Sequence, residues 1–167
     1  SSNEKRLILL VRREIAANLR RLGDYPGAEQ ALREAYRQLP EAQRSQGYYL
    51  ELLRLIETGM ALDQANYPQA RLLLEKGADF FQRKENKREL AVRLFLEARL
   101  NFGLGKVRTS LANLADALAL AQEIGHPASV LKQEAWYARP FLQFARIYQG
   151  KLSQFQPAIE LLLWEPF

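Results

Sequence analysis

A turn followed by a helix recurs along this chain, and any fold it adopts has to accommodate that repetition. Gly23-Asp24-Tyr25-Pro26-Gly27-Ala28 precedes Leu32 and Ala35, and Ala65-Asn66-Tyr67-Pro68-Gln69-Ala70 precedes Leu74 and Gly77. Gly105-Lys106-Val107-Arg108-Thr109-Ser110 precedes Leu114 and Ala117, and a weaker copy, Ser153-Gln154-Phe155-Gln156-Pro157-Ala158, precedes Leu162. With the small residue at 28, 70, 110 and 158 as the marker, the spacings are 42, 40 and 48 residues.

Small or apolar residues at i, i+4 and i+7 after each turn share one helix face, and the small ones let a neighbouring helix approach closely. Glycine ends the preceding helix in a left-handed conformation. Proline in the next first turn loses only an N–H that would be unpaired there. Upstream of the turns lie longer amphipathic stripes, Tyr49, Leu52, Leu53, Ile56 and Met60 in one case and Ala91, Leu94, Ala98 and Phe102 in another. The pattern predicts eight helices, at 3–22, 25–39, 45–64, 67–83, 86–103, 106–124, 128–149 and 155–163, in one domain spanning 1–167 without a dividing linker. No window alternates in the manner of a strand.

Composition removes several function classes. The 167 residues contain no cysteine and one histidine, His126, which excludes disulfides, thiol chemistry and most zinc or dyad schemes. His126, between Gly125 and Pro127, reads as a loop residue beyond a helix end. No constellation supports catalysis, and no cofactor or metal is implied. No apolar run approaches the roughly 20 residues that spanning a bilayer needs, and no secretory leader is evident, so the expected setting is cytoplasmic and away from membranes.

The net charge of +5 comes from 17 Arg and 7 Lys against 19 acids. Arginines spaced three or four positions from Glu describe a solvated, salt-bridged surface better than a nucleic-acid face. The run Arg83-Lys84-Glu85-Asn86-Lys87-Arg88 is the best candidate for nucleic acid, but backbone binding needs several such clusters.

Leu22-Gly23-Asp24-Tyr25, Ala28, Leu32, Ala35 and Pro40 resemble the second half of a tetratricopeptide (TPR) repeat, and Leu104-Gly105, Ser110, Leu114 and Ala117 resemble it less closely. The repeats exceed the usual 34 residues. With the phrase at 117–142, they look like the helical-repeat region of large bacterial transcription activators related to the maltose-regulon activator. The resemblance implies an all-α, right-handed TPR-like superhelix of about four repeats. It also implies a non-enzymatic role in transcription regulation and signal sensing, as a sensor or scaffold segment of a longer chain. A free-standing adaptor that docks proteins, and a nucleic-acid-binding helical repeat, are the alternatives. No phosphate-binding loop occurs here.

In such solenoids the first helices line a concave groove that receives a protein, a peptide or a small effector. Alignment with the family places Arg13 and Ala17, Leu55 and Gly59, Phe95 and Arg99, and then Gln143 and Ile147, along that groove. Leu55 and Phe95 would contact apolar groups while Arg13 and Arg99 meet an anion; the alternative is a core Phe95 with solvated arginines. Gly59 lies within a helix, at a cost of about 1 kcal/mol, and implies a close approach by a ligand or a neighbouring helix. The aromatics Trp136, Tyr137, Phe141, Phe144 and Tyr148, followed by Phe155, Trp164 and Phe167, face too many sides for one neighbour. Either the chain continues over them or a second copy covers them.

Overall fold

Three of the four recurring turns share one backbone geometry in the computed structural model, which describes residues 1–82, 86–148, 150 and 152–164. Gly23, Ala65 and Gly105 each take a left-handed conformation, with φ of 82°, 55° and 76°. The next residue's N–H then reaches back to a carbonyl five residues earlier: Asp24 to Leu19 at 2.9 Å, Asn66 to Ala61 at 2.8 Å and Lys106 to Asn101 at 2.8 Å. This closure satisfies carbonyls that a helix end leaves without partners. The following helix starts at once, capped by Asp24, whose Oδ1 accepts from the Gly27 N–H at 3.0 Å. Asn66 caps less closely, at 3.4 Å from the Gln69 N–H.

The three turns join α1 (Ser2–Arg21) to α2 (Tyr25–Arg37), α3 (Tyr48–Asp63) to α4 (Tyr67–Gln82), and α5 (Lys87–Gly103) to α6 (Val107–Ile124). The marker residues Ala28, Ala70 and Ser110 are fully buried, as are Ala35 and Ala117. That burial is the packing reason for small residues there, because each lets its helix close against its hairpin partner. At the equivalent position of the second hairpin, a side chain on Gly77 would collide with Glu51. Burial raises the Glu51 carboxyl above its ordinary value, opposed by the neighbouring charge of Arg54 and then Arg93.

The hairpins stack so that α1 packs on α3 and α3 on α5, while α2 meets α3 and α4 meets α5; among the described residues the even-numbered helices do not pack on one another comparably. The odd-numbered helices therefore form one continuous row. They run in the same direction: at their starts Tyr48 on α3 donates to Glu89 on α5 at 2.9 Å. The third helix lies in the middle of the row and is enclosed on almost every side, from Leu50 to Leu62. Its neighbours contribute a first core around Leu9, Ala28 and Leu53 and a second around Ala70, Leu96 and Leu100.

The chain departs from the predicted pattern beyond α6. The single helix expected over 128–149 is two, α7 (Pro127–Ala135) and α8 (Arg139–Ile147), and a short 3-10 turn at Ser153–Phe155 leads into α9 (Gln156–Trp164). Pro140 is the cause: it lacks an N–H and its ring would clash with the carbonyl one turn back, so the helix stops at Ala135 and restarts before it. The break lets α8 fold back over α5, with the Phe141 ring 4.9 Å from that of Phe102. Phe141 and Phe155 are thereby buried, whereas Trp136, Tyr148 and Trp164 stay exposed. The fourth turn lacks the left-handed residue of the other three: Ser153 lies in the 3-10 turn.

Residues 83–85 of the basic run, and Phe167, lie outside the described residues. Among the described residues every regular element is helical, so the fold class is all-α. No described helix is long and apolar enough to cross a membrane. The outer flank of α1 carries exposed Leu7 and Val11, and α8 ends in the exposed Ile147.

A left-handed alanine costs about 1–2 kcal/mol that glycine avoids. Gly23→Ala is therefore expected to lower the unfolding free energy by about 1 kcal/mol and Ala65→Gly to raise it by less than that, since glycine also loosens the unfolded chain. Urea denaturation of the two variants checks the opposite signs.

Candidate functional site

The last turns of α1, α3 and α7 and the second half of α5 bring four charged side chains together: Arg20, Asp63, Arg99 and Glu134. Arg20 is 4% exposed. Its Nε and Nη2 donate to the two Asp63 oxygens at 2.6 and 3.1 Å, and its Nη1 and Nη2 donate to the two Glu134 oxygens at 2.7 and 2.9 Å. The guanidinium lies 3.8 Å from the centre of the Tyr137 ring. Arg99 donates to Asp63 Oδ1 at 3.2 Å and to the Tyr137 carbonyl at 3.1 Å. Tyr25 on α2 completes the set by donating to Asp63 at 3.2 Å.

The four charges cancel. Burial works against the charge on Arg20, but the Glu134 and Asp63 carboxylates outweigh it and hold the guanidinium above its ordinary value. Burial likewise raises the Tyr137 hydroxyl, to about 12, against the opposing charge of Arg20. Asp63 and Glu134 occupy helix C-termini, where the backbone dipole disfavours an anion. The two arginines supply the compensation.

This network explains Gly59. A Cβ there would fall 2.5 Å from Arg20 Nη2 and 2.7 Å from its Cζ, so the missing side chain is the room that the guanidinium occupies. The close approach comes from a neighbouring helix, through its arginine.

Arg20 spans from α1 to α7, and beside it α1, α3, α5 and α7 enclose a groove of about 540 Å³. Its apolar surface comes from Leu52, Leu55 and Ile56 of α3, Val92 of α5 and Val130 of α7. Arg20, Glu134 and Tyr137 line it at the clustered helix ends. Cations besides Arg20 also line it, Arg13 and Arg21 of α1, Arg88 of α5 and Lys132 of α7, together with the carboxylates of Glu14 and Glu89.

The residues placed along the groove by alignment divide accordingly. Arg13, Ala17 and Leu55 line it. Arg13 Nη1 donates to the exposed Glu14 at 2.7 Å, and its Nε is shielded from water without a partner among the described residues. Gly59 backs onto Arg20. Phe95 does not reach the groove: it is wholly enclosed in the core that α5 shares with α6, α7 and α8, 6.5 Å from the Phe141 ring. Arg99 is 9% exposed and committed to Asp63 rather than free to meet an anion. Gln143 and Ile147 lie on α8, away from the groove. His126 is the N-cap of α7, its Nδ1 accepting from the Ala128 N–H at 3.2 Å.

Sequence reasoning missed Arg20, Asp63, Glu134 and Tyr137. The available signals were the unexplained Gly59 and a charge of alternating sign late in each first helix. The chain matches no protein-family model, no curated protein and no solved structure.

Alanine in place of a helix-interior glycine ordinarily stabilises by about 1 kcal/mol. Gly59→Ala is expected to do the reverse, lowering stability by about 2 kcal/mol or more as Arg20 is pushed off its carboxylates. In an Arg20→Met background, where the space is no longer filled by a guanidinium, the same substitution should cost much less. Urea midpoints of the four proteins measure the difference.

Proposed function

We propose that this chain is a non-enzymatic binding module of the tetratricopeptide-like helical-repeat type, whose groove between α1, α3, α5 and α7 receives its ligand. The observation that carries the reading is the groove itself: about 540 Å³, within the range of small-molecule and peptide sites, and lined by α1, α3, α5 and α7 together. The repeated turn geometry supports a repeat module, because the same hydrogen-bond closure recurs at three places. The likeness of residues 117–142 to maltose-activator-like regulators supports the narrower role, an effector-sensing segment of a bacterial transcriptional regulator.

A ligand seated between α1 and α7 would touch helices from the first and last parts of the row at once. That is a means of reading occupancy as a change in how the row is held, since binding stabilises whichever arrangement offers the contacts. Arg88 donates to the Ser129 carbonyl at 3.2 Å and Lys87 pairs with Glu123 at 3.6 Å, which leaves this part of the basic run engaged within the chain.

The test is a thermal-shift panel of small anions, sugars, nucleotides and short peptides. It is run on the parent, on Ala17→Trp, which fills the groove from α1, and on Arg33→Ala, on the outer side of α2. A ligand at a hundred times its Kd should raise the melting temperature by roughly 5–10 °C in the parent and in Arg33→Ala but not in Ala17→Trp. Equal shifts in all three would move the site away from the groove.

A further inference from the structure

We propose that the groove ligand is a small anionic amphiphile: one compact oxyanion, carboxylate or phosphate, on an aliphatic or aryl body. The proposal rests on the groove being the binding site and adds what it binds. The two halves of the ligand follow from two halves of the lining. Leu52, Leu55, Ile56, Val92 and Val130, with Ala17, give the groove its apolar surface, which an apolar body would cover. Once Arg20 and Arg99 are paired with Asp63 and Glu134, that network is neutral and leaves the groove's charge to its exposed lining.

Arg13, Arg88 and Lys132 line the same groove from three different helices, Arg88 with one of its donors on the Ser129 carbonyl. Their carboxylate neighbours are Glu14, already bonded to Arg13, and Glu89, already accepting from the Tyr48 hydroxyl. Lys132 forms no ion pair with any described residue. Arg13 Nη1 is engaged by the exposed Glu14 and the Nε makes no hydrogen bond among the described residues, so the guanidinium keeps donor capacity for an oxyanion. A buried donor left unmade is costly, and a charge-assisted bond shielded from water is among the strongest that a side chain makes.

The volume selects a small molecule: about 540 Å³ is the size of a small-molecule site, and the Arg20–Glu134 bridge takes up part of the space beside the clustered helix ends. A short ligand with its body over the apolar lining and its anion beside the lining cations matches both the volume and the charge distribution.

The test uses sodium octanoate and monooctyl phosphate, each below its micellar concentration, with octan-1-ol as the uncharged match, octylammonium as the cationic match and acetate as the headgroup alone. Isothermal titration at low and physiological salt is expected to show one site for one or both octyl anions. Binding should be at least tenfold weaker for octanol and absent for octylammonium and acetate. Whichever octyl anion binds more tightly identifies the headgroup. Arg13→Gln and Lys132→Gln should each weaken binding roughly tenfold to a hundredfold while leaving the far-UV circular dichroism and urea midpoint close to the parent's. Ala17→Trp should abolish it.

Octanol binding as tightly as the anions, or anion binding unaffected by both Arg13→Gln and Lys132→Gln, would overturn the proposal. So would failure of both octyl anions alongside an Ala17-sensitive response to a neutral ligand or a peptide, and in that case the groove reading would survive. Anion binding insensitive to Ala17→Trp would place the ligand outside the groove and defeat this inference and the groove reading together.

Discussion

One guanidinium holds the two ends of the helical row together. Arg20 reaches across from the last turn of α1 to Asp63 on α3 and Glu134 on α7, and no other buried polar contact joins elements so far apart in sequence among the described residues. Packing between adjacent helices would allow a row of hairpins to flex, because each hairpin meets only its neighbours. A bidentate arginine that must satisfy carboxylates on two helices removes much of that freedom. Gly59 makes room for it, Tyr137 stacks on it, and Arg99 braces Asp63 from the other side.

Buried ion pairs are poor sources of raw stability, since stripping water from the charges offsets most of their attraction. What this network contributes is position. Apolar side chains of similar size would fill the same space with several near-equivalent arrangements, whereas four charges with directional bonds accept one. The cost of mispairing is high because Asp63 and Glu134 sit at helix C-termini, where the dipole already opposes them. The groove is the by-product of that constraint: Arg20 holds α1 and α7 at one end, and the cavity opens beside the bridge.

The hairpins were legible in the sequence because the information for them is local. A left-handed glycine, a capping Asp and a small residue four positions later fix a turn wherever they occur, and Ala65 shows the same geometry imposed on a residue that does not favour it. Helix 128–149 was misread because its apolar stripe runs through Pro140, and the proline's steric effect on the preceding turn outweighs the periodicity. The candidate site was half legible. Arg13 and Leu55 followed from the repeat register, but Phe95 did not, because its exposure depended on how α6, α7 and α8 pack on α5. Arg20 was out of reach for a different reason: its partners lie 43 and 114 residues away, and pairing over such distances leaves no periodic trace. Gly59 was the one local mark of it.

Because the chain has no cysteine, two introduced ones are the sole labelling sites for spin labels. Labels at Glu14→Cys on α1 and Gln133→Cys on α7 report the separation of the two ends of the row by pulsed electron resonance. A second pair, Glu14→Cys and Arg33→Cys, reports the first hairpin alone. If the Arg20 bridge sets the shape of the groove, the 14–133 distance is narrow and single in the parent and becomes longer and broader in Arg20→Met, while the 14–33 distance is unchanged. An identical 14–133 distribution with and without Arg20 would contradict the account, leaving the packing of adjacent hairpins as sufficient to hold the groove.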